Sequence, residues 1–385
     1  MSGIVRIESY LYFRYTIPTM AKRLLVFTGG GLSPSLNVTL AGVIGAAQKR
    51  GWQIFGGRQG WASLLPGGRN LDVSRLPVKN LEKSGGTFLQ SSRTNPWKYP
   101  GGRGHVLHRC KKLGLEAIVA IGGDDTLSAA QQFHLEEGLP IFGIPKTIDN
   151  DIPGTYVTPG YATAAERLGQ MVYELHHRAA HAFSRIYIVE SMGLHAGWLA
   201  AAGCLGGADL IVPPEKPVSM KRFLQALRRV YKENGGYATV VVSQEAQFTG
   251  GMTGLADDQV DDYAVSRHQF ICLALKKLVK DQLGIDTKAI LPGNLLESSN
   301  PNRIDRKLSL SLGRTTVARL ARGETPALAT IQLRQGKLVV EHCLWHEVDL
   351  SPTPYLPEDY FDFKNFQVRP KFWQYLRSLG LYKIE

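Results

Sequence analysis

A chain of 385 residues, 44% of them hydrophobic and 20% charged, holds enough apolar material for two packed domains or one large one. No apolar run reaches the roughly 18–20 residues that cross a bilayer, and residues 1–19, interrupted by Arg6, Arg14 and Pro18, lack the apolar centre of a secretory signal, so a cytoplasmic protein with no membrane partner is expected. The formal charge of +12 reads either as attraction for polyanions or as solvated helix faces. Nucleic acid is the weaker of these readings, because the basic runs near Arg93 and Lys221 lack interleaved aromatics.

From residue 23 onward the pattern alternates strand and helix. An apolar run at 24–28 enters a glycine-rich turn, and 37–49 has helical spacing. A second run, 117–121, ends in Gly122-Gly123-Asp124-Asp125 before a helical stretch from 127. A third, 141–144, ends in Pro145-Lys146-Thr147-Ile148-Asp149-Asn150-Asp151. An amphipathic helix over 162–177 follows, then strands near 185–189, 210–212, 238–242 and 289–291, and a hairpin over 328–340. Such alternation predicts parallel sheets flanked by helices, with ligands outside the carboxyl ends of the strands. The four cysteines, Cys110, Cys204, Cys272 and Cys343, never form C-x-x-C and read as ordinary reduced thiols.

The chemistry concentrates in the turns. Gly29-Gly30-Gly31 between a strand and a helix lets backbone amides approach an anion, although neither a Walker loop nor a dinucleotide fingerprint is present. Asp124 and Asp125 follow two glycines, and Asp149 and Asp151 lie one residue apart. Carboxylates at strand ends can hold magnesium together with phosphate oxygens, or take a proton from an attacking hydroxyl. Lys146 and Arg93 are placed to neutralise a transferring phosphoryl group.

These elements resemble the phosphofructokinase family in order and spacing over residues 23–320. The resemblance is carried by Gly30-Gly31 with Asn37, Gly85-Gly86-Thr87 leading to Arg93, Gly122-Gly123-Asp124 and the Thr-Ile-Asp-Asn-Asp run. Further support comes from Arg185, Glu190-Ser191-Met192-Gly193, Pro214-Glu215, Glu245 and Ile304-Asp305-Arg306. The resemblance implies two Rossmann-like three-layer α/β domains facing across a cleft. Residues 22–155 with 290–330 would bind donor and metal, and 156–289 the acceptor. Residues 1–21 would be an N-terminal extension, and 331–385 a C-terminal extension packing on the first domain. It also implies Asp149 as general base supported by Asp151 and Thr147, Asp124 as the Mg2+ ligand, and Gly31 and Arg93 at the transferred group. Gly30, Gly31, Asp125, Thr126 and Lys146 would make up the donor set.

Asp125 and Lys146 stand where the family's ATP users carry glycines, which points to pyrophosphate as donor: Asp125 puts bulk and charge where an α-phosphate would lie. The acceptor set is Arg185, Met192, Gly193, Glu245, Lys288, Asn294 and Glu297. Here the family's histidine is Asn294, an arginine is Glu297 and another is Leu194. A carboxylate beside a sugar phosphate is repulsive, so the sequence favours a polyhydroxylated acceptor other than fructose 6-phosphate. Ordinary pyrophosphate–fructose 6-phosphate transfer is the alternative, and a non-catalytic regulatory relative is the alternative of another class. Arg185, which in the family reaches a neighbouring subunit's acceptor, implies a homodimer or larger.

Overall fold

The computed structural model describes residues 23–250 and 270–385; the N-terminal extension expected at 1–21 lies outside them. The first part of the chain forms β1 (Arg23–Thr28), α1 (Leu36–Gln48), β2 (Gln53–Gly57), β3 (Asn70–Asp72), α2 (Gly102–Leu113), β4 (Ala117–Gly122), α3 (Asp124–Glu137) and β5 (Ile141–Pro145). The middle forms α4 (Tyr161–Arg178), β6 (Ile186–Ser191), α5 (Trp198–Ala201), β7 (Leu210–Val212), β8 (Val218–Ser219), α6 (Met220–Glu233), β9 (Ala238–Ser243), β10 (Phe248–Thr249), α7 (Ile271–Leu283) and β11 (Thr287–Ile290). The chain then returns through α8 (Arg303–Ala321) to β12 (Ala327–Arg334) and β13 (Lys337–Leu344). It ends with β14 (Phe361–Asp362), β15 (Gln367–Val368) and α9 (Pro370–Leu379).

Two sheets organise these elements. The larger has the order β13-β12-β5-β4-β1-β2-β3 and the smaller β11-β6-β9-β7. The smaller sheet is parallel throughout, and in the larger only the edge strands β13 and β3 pair antiparallel. Strands β4, β6 and β9 are buried at every residue, as parallel strands covered on both faces must be. Successive residues of β1 feed opposite cores: Leu24 and Val26 join Leu40 and Val43 of α1, whereas Leu25 and Phe27 join Val106 of α2 and Phe133 of α3.

The return of α8 to the first sheet depends on small residues. A Cβ on Gly42 would lie 2.9 Å from the Leu310 carbonyl oxygen, and one on Gly313 would lie 2.6 Å from the Val43 nitrogen. Helices α1 and α8 therefore cross almost backbone to backbone.

The basic run of α6 occupies the outer face of that helix. In α6, Met220, Phe223, Leu224 and Leu227 are buried at helical spacing, leaving Lys221, Arg228, Arg229 and Lys232 on the other side. The four cysteines are free thiols, three of them buried.

The tail lies against the first sheet and also reaches the second. Trp345 binds the first, donating to the Ile141 carbonyl at 2.7 Å. Beyond it the chain crosses to the second sheet. Trp198 donates to the Pro354 carbonyl at 2.7 Å, Phe366 enters the core around Phe223, and Ile384 donates to the Leu205 carbonyl. Aromatic rings spaced along 345–375 bury most area by bridging both sheets, which a single-sheet wrap would leave exposed.

Candidate active site

The carboxyl ends of β1, β4 and β5 lie level, with Thr28 opposite Ile121 and Gly122 opposite Pro145. Three turns therefore leave the sheet side by side. In the first, Gly30 adopts φ 79°, a conformation costly for any residue with a Cβ. Gly29 is packed so closely that a Cβ there would meet the Thr126 hydroxyl at 2.4 Å. Thr126 is buried, so its side chain shapes this turn by packing. Trp61, whose indole donates to the Thr126 carbonyl at 3.2 Å, holds the start of α3 from below. Asp124 and Asp125 are the first two residues of α3 and are exposed at the sheet edge.

The segment leading to Arg93 is pinned to the same edge. Asn37 donates to the Gly85 carbonyl at 2.8 Å and accepts from the Phe88 amide at 2.6 Å. The Thr28 hydroxyl donates to the Gln90 carbonyl at 2.8 Å, and Gly30 donates its amide to the Ser92 carbonyl at 2.9 Å. The family-like residues Asn37, Gly85 and Gly86 thus deliver Arg93; they have no chemistry of their own.

After β5 the chain makes the acidic turn. Thr147 accepts from the Asp149 amide at 3.1 Å, and Asn150 adopts φ 58°, a left-handed conformation in which asparagine is among the best-tolerated residues. The Asn150 amide group donates to the Tyr375 hydroxyl at 3.0 Å, and its carbonyl accepts from the Thr158 amide at 2.9 Å. Asp149 and Asp151 are thereby presented on the same turn. Asn150 and Tyr375 were missed as site residues. The Asn at the middle of Asp-Asn-Asp was a usable turn signal, whereas Tyr375 lies 225 positions away and had none.

Lys146 lies at the centre. Its side chain is buried, and the ammonium donates to the Gly31 carbonyl at 2.6 Å. Burial lowers its pKa to about 8, against the opposing pull of Glu297, Asp149, Asp151 and Asp124. Burial also raises Asp149 well above the usual carboxylate range, and the neighbouring Asp151 adds to the effect. Asp151 rises to about 6, again chiefly through burial and next through Asp124. One oxygen of Asp149, Oδ1, is buried without a hydrogen-bond partner. A carboxyl group of this kind is suited to receive a proton near neutral pH.

Glu297 stands in a different place from the one the sequence suggested. It follows a short 3-10 turn, Gly293–Leu295, and its Oε2 lies 4.0 Å from where a Gly31 Cβ would be. Burial raises its pKa, and Lys146 and then Arg93 oppose the rise. The carboxylate faces the Gly31, Lys146 and Arg93 group. The sequence argument assumed instead that it would sit at the far, phosphate end of an acceptor.

The acceptor set divides into two places. Met192 and Asn294 line a cavity of about 400 Å³ with Glu190, Gln244, Phe270 and Ser298, and no lysine or arginine belongs to its described lining. Glu190 accepts from the Cys272 amide at 3.1 Å and so caps α7. Gly193 follows Met192 at φ 126°, and half-buried Glu245 follows β9. Arg185 and Lys288 lie elsewhere, at the opposite end of β6 and β11, where both approach Asp286, at 3.1 and 3.9 Å. The length of β6 separates Arg185 from Met192, about 20 Å at ~3.3 Å per residue.

A family model described as phosphofructokinase matches residues 23–320. The chain belongs to the phosphofructokinase family. It is 34% identical over 316 residues to a pyrophosphate–fructose 6-phosphate 1-phosphotransferase of Dictyoglomus thermophilum, covering 80% of this chain and 89% of the relative. A protein of the same name from Amycolatopsis methanolica is 32% identical over 350 residues, covering 89% and 99%. An ATP-dependent 6-phosphofructokinase of Thermus thermophilus is 30% identical, covering 86% and 92%. Among solved structures, a pyrophosphate-dependent phosphofructokinase of Marinobacter aquaeolei superposes with a TM-score of 0.81 at 23% identity, covering 94% and 92%. The two sheets and their helices are thus the two α/β lobes of a phosphofructokinase-type phosphotransferase, and no helix among the described residues is long and apolar enough to cross a membrane.

Proposed function

We propose that this phosphofructokinase transfers a phosphoryl group from pyrophosphate to a hydroxyl of fructose 6-phosphate, working as a homodimer or larger assembly. The observation that carries the donor half is the buried Lys146 ammonium beneath the Gly31 carbonyl, at the sheet edge from which α3 starts with Asp124 and Asp125. A buried cation facing a glycine turn suits a compact, highly charged donor, and Asp125 opposes an α-phosphate. The names of the first relatives agree with this reading.

In this reading Asp149, whose Oδ1 has no partner, takes the proton of the acceptor hydroxyl, while Thr147 and Asp151 hold the turn. The Gly31 amide and Arg93 meet the charge that develops on the transferred group. Magnesium fits the donor set, since hard carboxylate oxygens face the phosphate site. No group of three or more acidic, histidine or cysteine side chains among the described residues is arranged to hold a metal alone, so Asp124 would hold it together with donor oxygens. The ion would supply charge neutralisation on the phosphates.

The acceptor assignment rests on the position of Glu297. With its carboxylate turned toward Gly31 and Lys146, the main sequence argument against a phosphorylated acceptor loses its footing. The phosphate would be met by Arg185 and Lys288 of a neighbouring subunit. A second reading, an unphosphorylated sugar or polyol, is favoured by the absence of a cation from the described lining of the 400 Å³ cavity. Steady-state assays with magnesium pyrophosphate and a panel of fructose 6-phosphate, fructose and polyols separate the two. Efficient turnover of fructose 6-phosphate alone supports the first reading. Turnover of free sugars alone transfers the conclusion to the second, and ATP-dependent turnover without pyrophosphate activity defeats both.

A further inference from the structure

The carboxyl end of the second sheet is as level as that of the first. Glu190 of β6 lies opposite Val242 of β9, which lies opposite Val212 of β7. The segments that follow β6 and β7 therefore leave the sheet from one edge. The first begins with Met192 at the cavity of about 400 Å³, and the second carries the family-like pair Pro214-Glu215. A carboxylate joins them. Glu215 Oε1 accepts from the Gly197 amide at 2.6 Å and from the Leu356 amide at 2.8 Å. Burial raises the pKa of Glu215, and the Leu356 and Gly197 amides oppose the rise.

What Glu215 holds is a strained turn. Gly193 has φ 126° and Leu194, which carries a full side chain, has φ 28°. Backbone of this kind persists only where surrounding bonds enforce it. Inside the turn, the Ala196 amide donates to the Gly193 carbonyl at 2.8 Å. At its far end Gly197 is fitted against the carboxylate, since a Cβ there would lie 2.5 Å from Glu215 Oε2. The tail completes the clamp. Leu356 is buried in the core that also holds Trp198 and Leu199, and the Trp198 indole donates to the Pro354 carbonyl at 2.7 Å. Residues 197 and 198 are thus fastened to 356 and 354, the first of these ties running through Glu215.

We propose that Glu215 is a positioning residue for the acceptor: through Gly197 it fixes the backbone from Met192 to Leu194 at the edge of the cavity, and through Leu356 it makes the C-terminal tail part of the acceptor site. The proposal rests on the acceptor reading of that cavity. A carboxylate that takes two amide hydrogens holds them more firmly than a neutral group would, because charge-assisted bonds are roughly twice as strong. Without it, the turn relaxes toward ordinary dihedral angles and carries Met192 out of place. The donor turns leave the other sheet, at β1, β4 and β5, so the effect falls on one substrate.

The test compares the unaltered chain with Glu215→Ala, Glu215→Gln and Trp198→Phe. Each is assayed with magnesium pyrophosphate and the acceptor that the unaltered chain turns over best among fructose 6-phosphate, fructose and polyols. The same compounds are titrated calorimetrically, and backbone hydrogen exchange is followed by mass spectrometry. Glu215→Ala is expected to raise the acceptor KM about tenfold, as two charge-assisted bonds disappear, with the pyrophosphate KM changed less than about twofold. Exchange should rise over 193–198 and 353–357 and stay unchanged in β1 and β4. Glu215→Gln keeps an oxygen for both amides and should recover most of the affinity. Trp198→Phe loses the bond to Pro354 and should shift the acceptor KM the same way by a smaller factor; if Glu215→Ala does not fold, this variant decides alone. Equal changes in both KM values, a fall in kcat alone, or an unaltered acceptor KM overturns the positioning role. Acceptor binding that weakens in the variants, without turnover by any chain, leaves that role standing and removes the phosphotransferase reading. Neither binding nor turnover of any of these compounds by the unaltered chain overturns both.

Discussion

Asp149 carries two opposed consequences of one environment. Burial and the adjacent Asp151 raise its pKa, so the ionised base is reached only at higher pH than for an ordinary carboxylate. Activity should therefore fall with decreasing pH well above the usual carboxylate range, and not near 4. A profile of kcat/KM against pH on the free enzyme measures this directly. Asp149→Asn should lower kcat by about 10²- to 10⁴-fold with little change in KM, the signature of a proton-transfer group. The same substitution should raise the melting temperature at pH 7. A carboxyl whose folded pKa lies above its unfolded value contributes stability at low pH and loses it as pH rises toward the folded value. At neutral pH, the neutral amide is free of that penalty. A variant that is slower yet no more stable would mean that the carboxylates are better compensated than their burial suggests.

The acidic turn is held by an element that is distant in sequence. Tyr375 on α9 accepts from Asn150, and rings of Tyr156, Tyr161 and Trp198 pack around it at 5.2–6.2 Å. Tyr375→Phe keeps the packing and leaves the buried Asn150 amide one partner short, a cost of about 1–3 kcal/mol in thermal or denaturant unfolding. The accompanying fall in kcat should exceed any change in donor KM if the turn carries the base as proposed. On β13, His342 is lowered to about 4 by burial, reinforced by Arg319 and opposed by Glu324. Its unfolded value is near 6.5, so the unfolded chain binds the extra proton first. Stability should be complete above that value and decline as pH falls toward 4. His342→Gln should flatten this slope in melting curves between pH 7 and 4.5. At this scale the sequence was informative where chemistry is local. The parallel strands, their loaded turns and the β12–β13 hairpin follow from apolar runs punctuated by glycine and asparagine. The course of the tail and the direction of Glu297 are set by which surfaces remain uncovered once both lobes exist, and no window of neighbouring residues encodes that.

At the scale of the whole molecule, the separation along β6 decides what one subunit can do alone. Met192 and Asn294 meet the cavity at one end, while Arg185 and Lys288 gather around Asp286 at the other. Next to them, Phe183 is 47% exposed between the guanidinium groups of Arg178 and Arg185, at 4.8 and 4.4 Å. An apolar ring flanked by cations at a sheet end fits a surface covered by a second copy, which would bring these cations to the cavity whose described lining holds none. Each complete site would then combine Asp149 of one chain with Arg185 of the other. Arg185→Ala and Asp149→Asn should each be nearly inactive toward fructose 6-phosphate when assayed separately. Mixing them under conditions that exchange subunits should restore activity, because in a mixed pair one of the two sites holds an intact Asp149 and receives an intact Arg185. Restored turnover should rise with the fraction of mixed pairs, measured by native mass spectrometry. If the mixture stays inactive while mixed pairs are abundant, Arg185 acts within its own chain or not at all, and the phosphate of the acceptor must find its cation elsewhere.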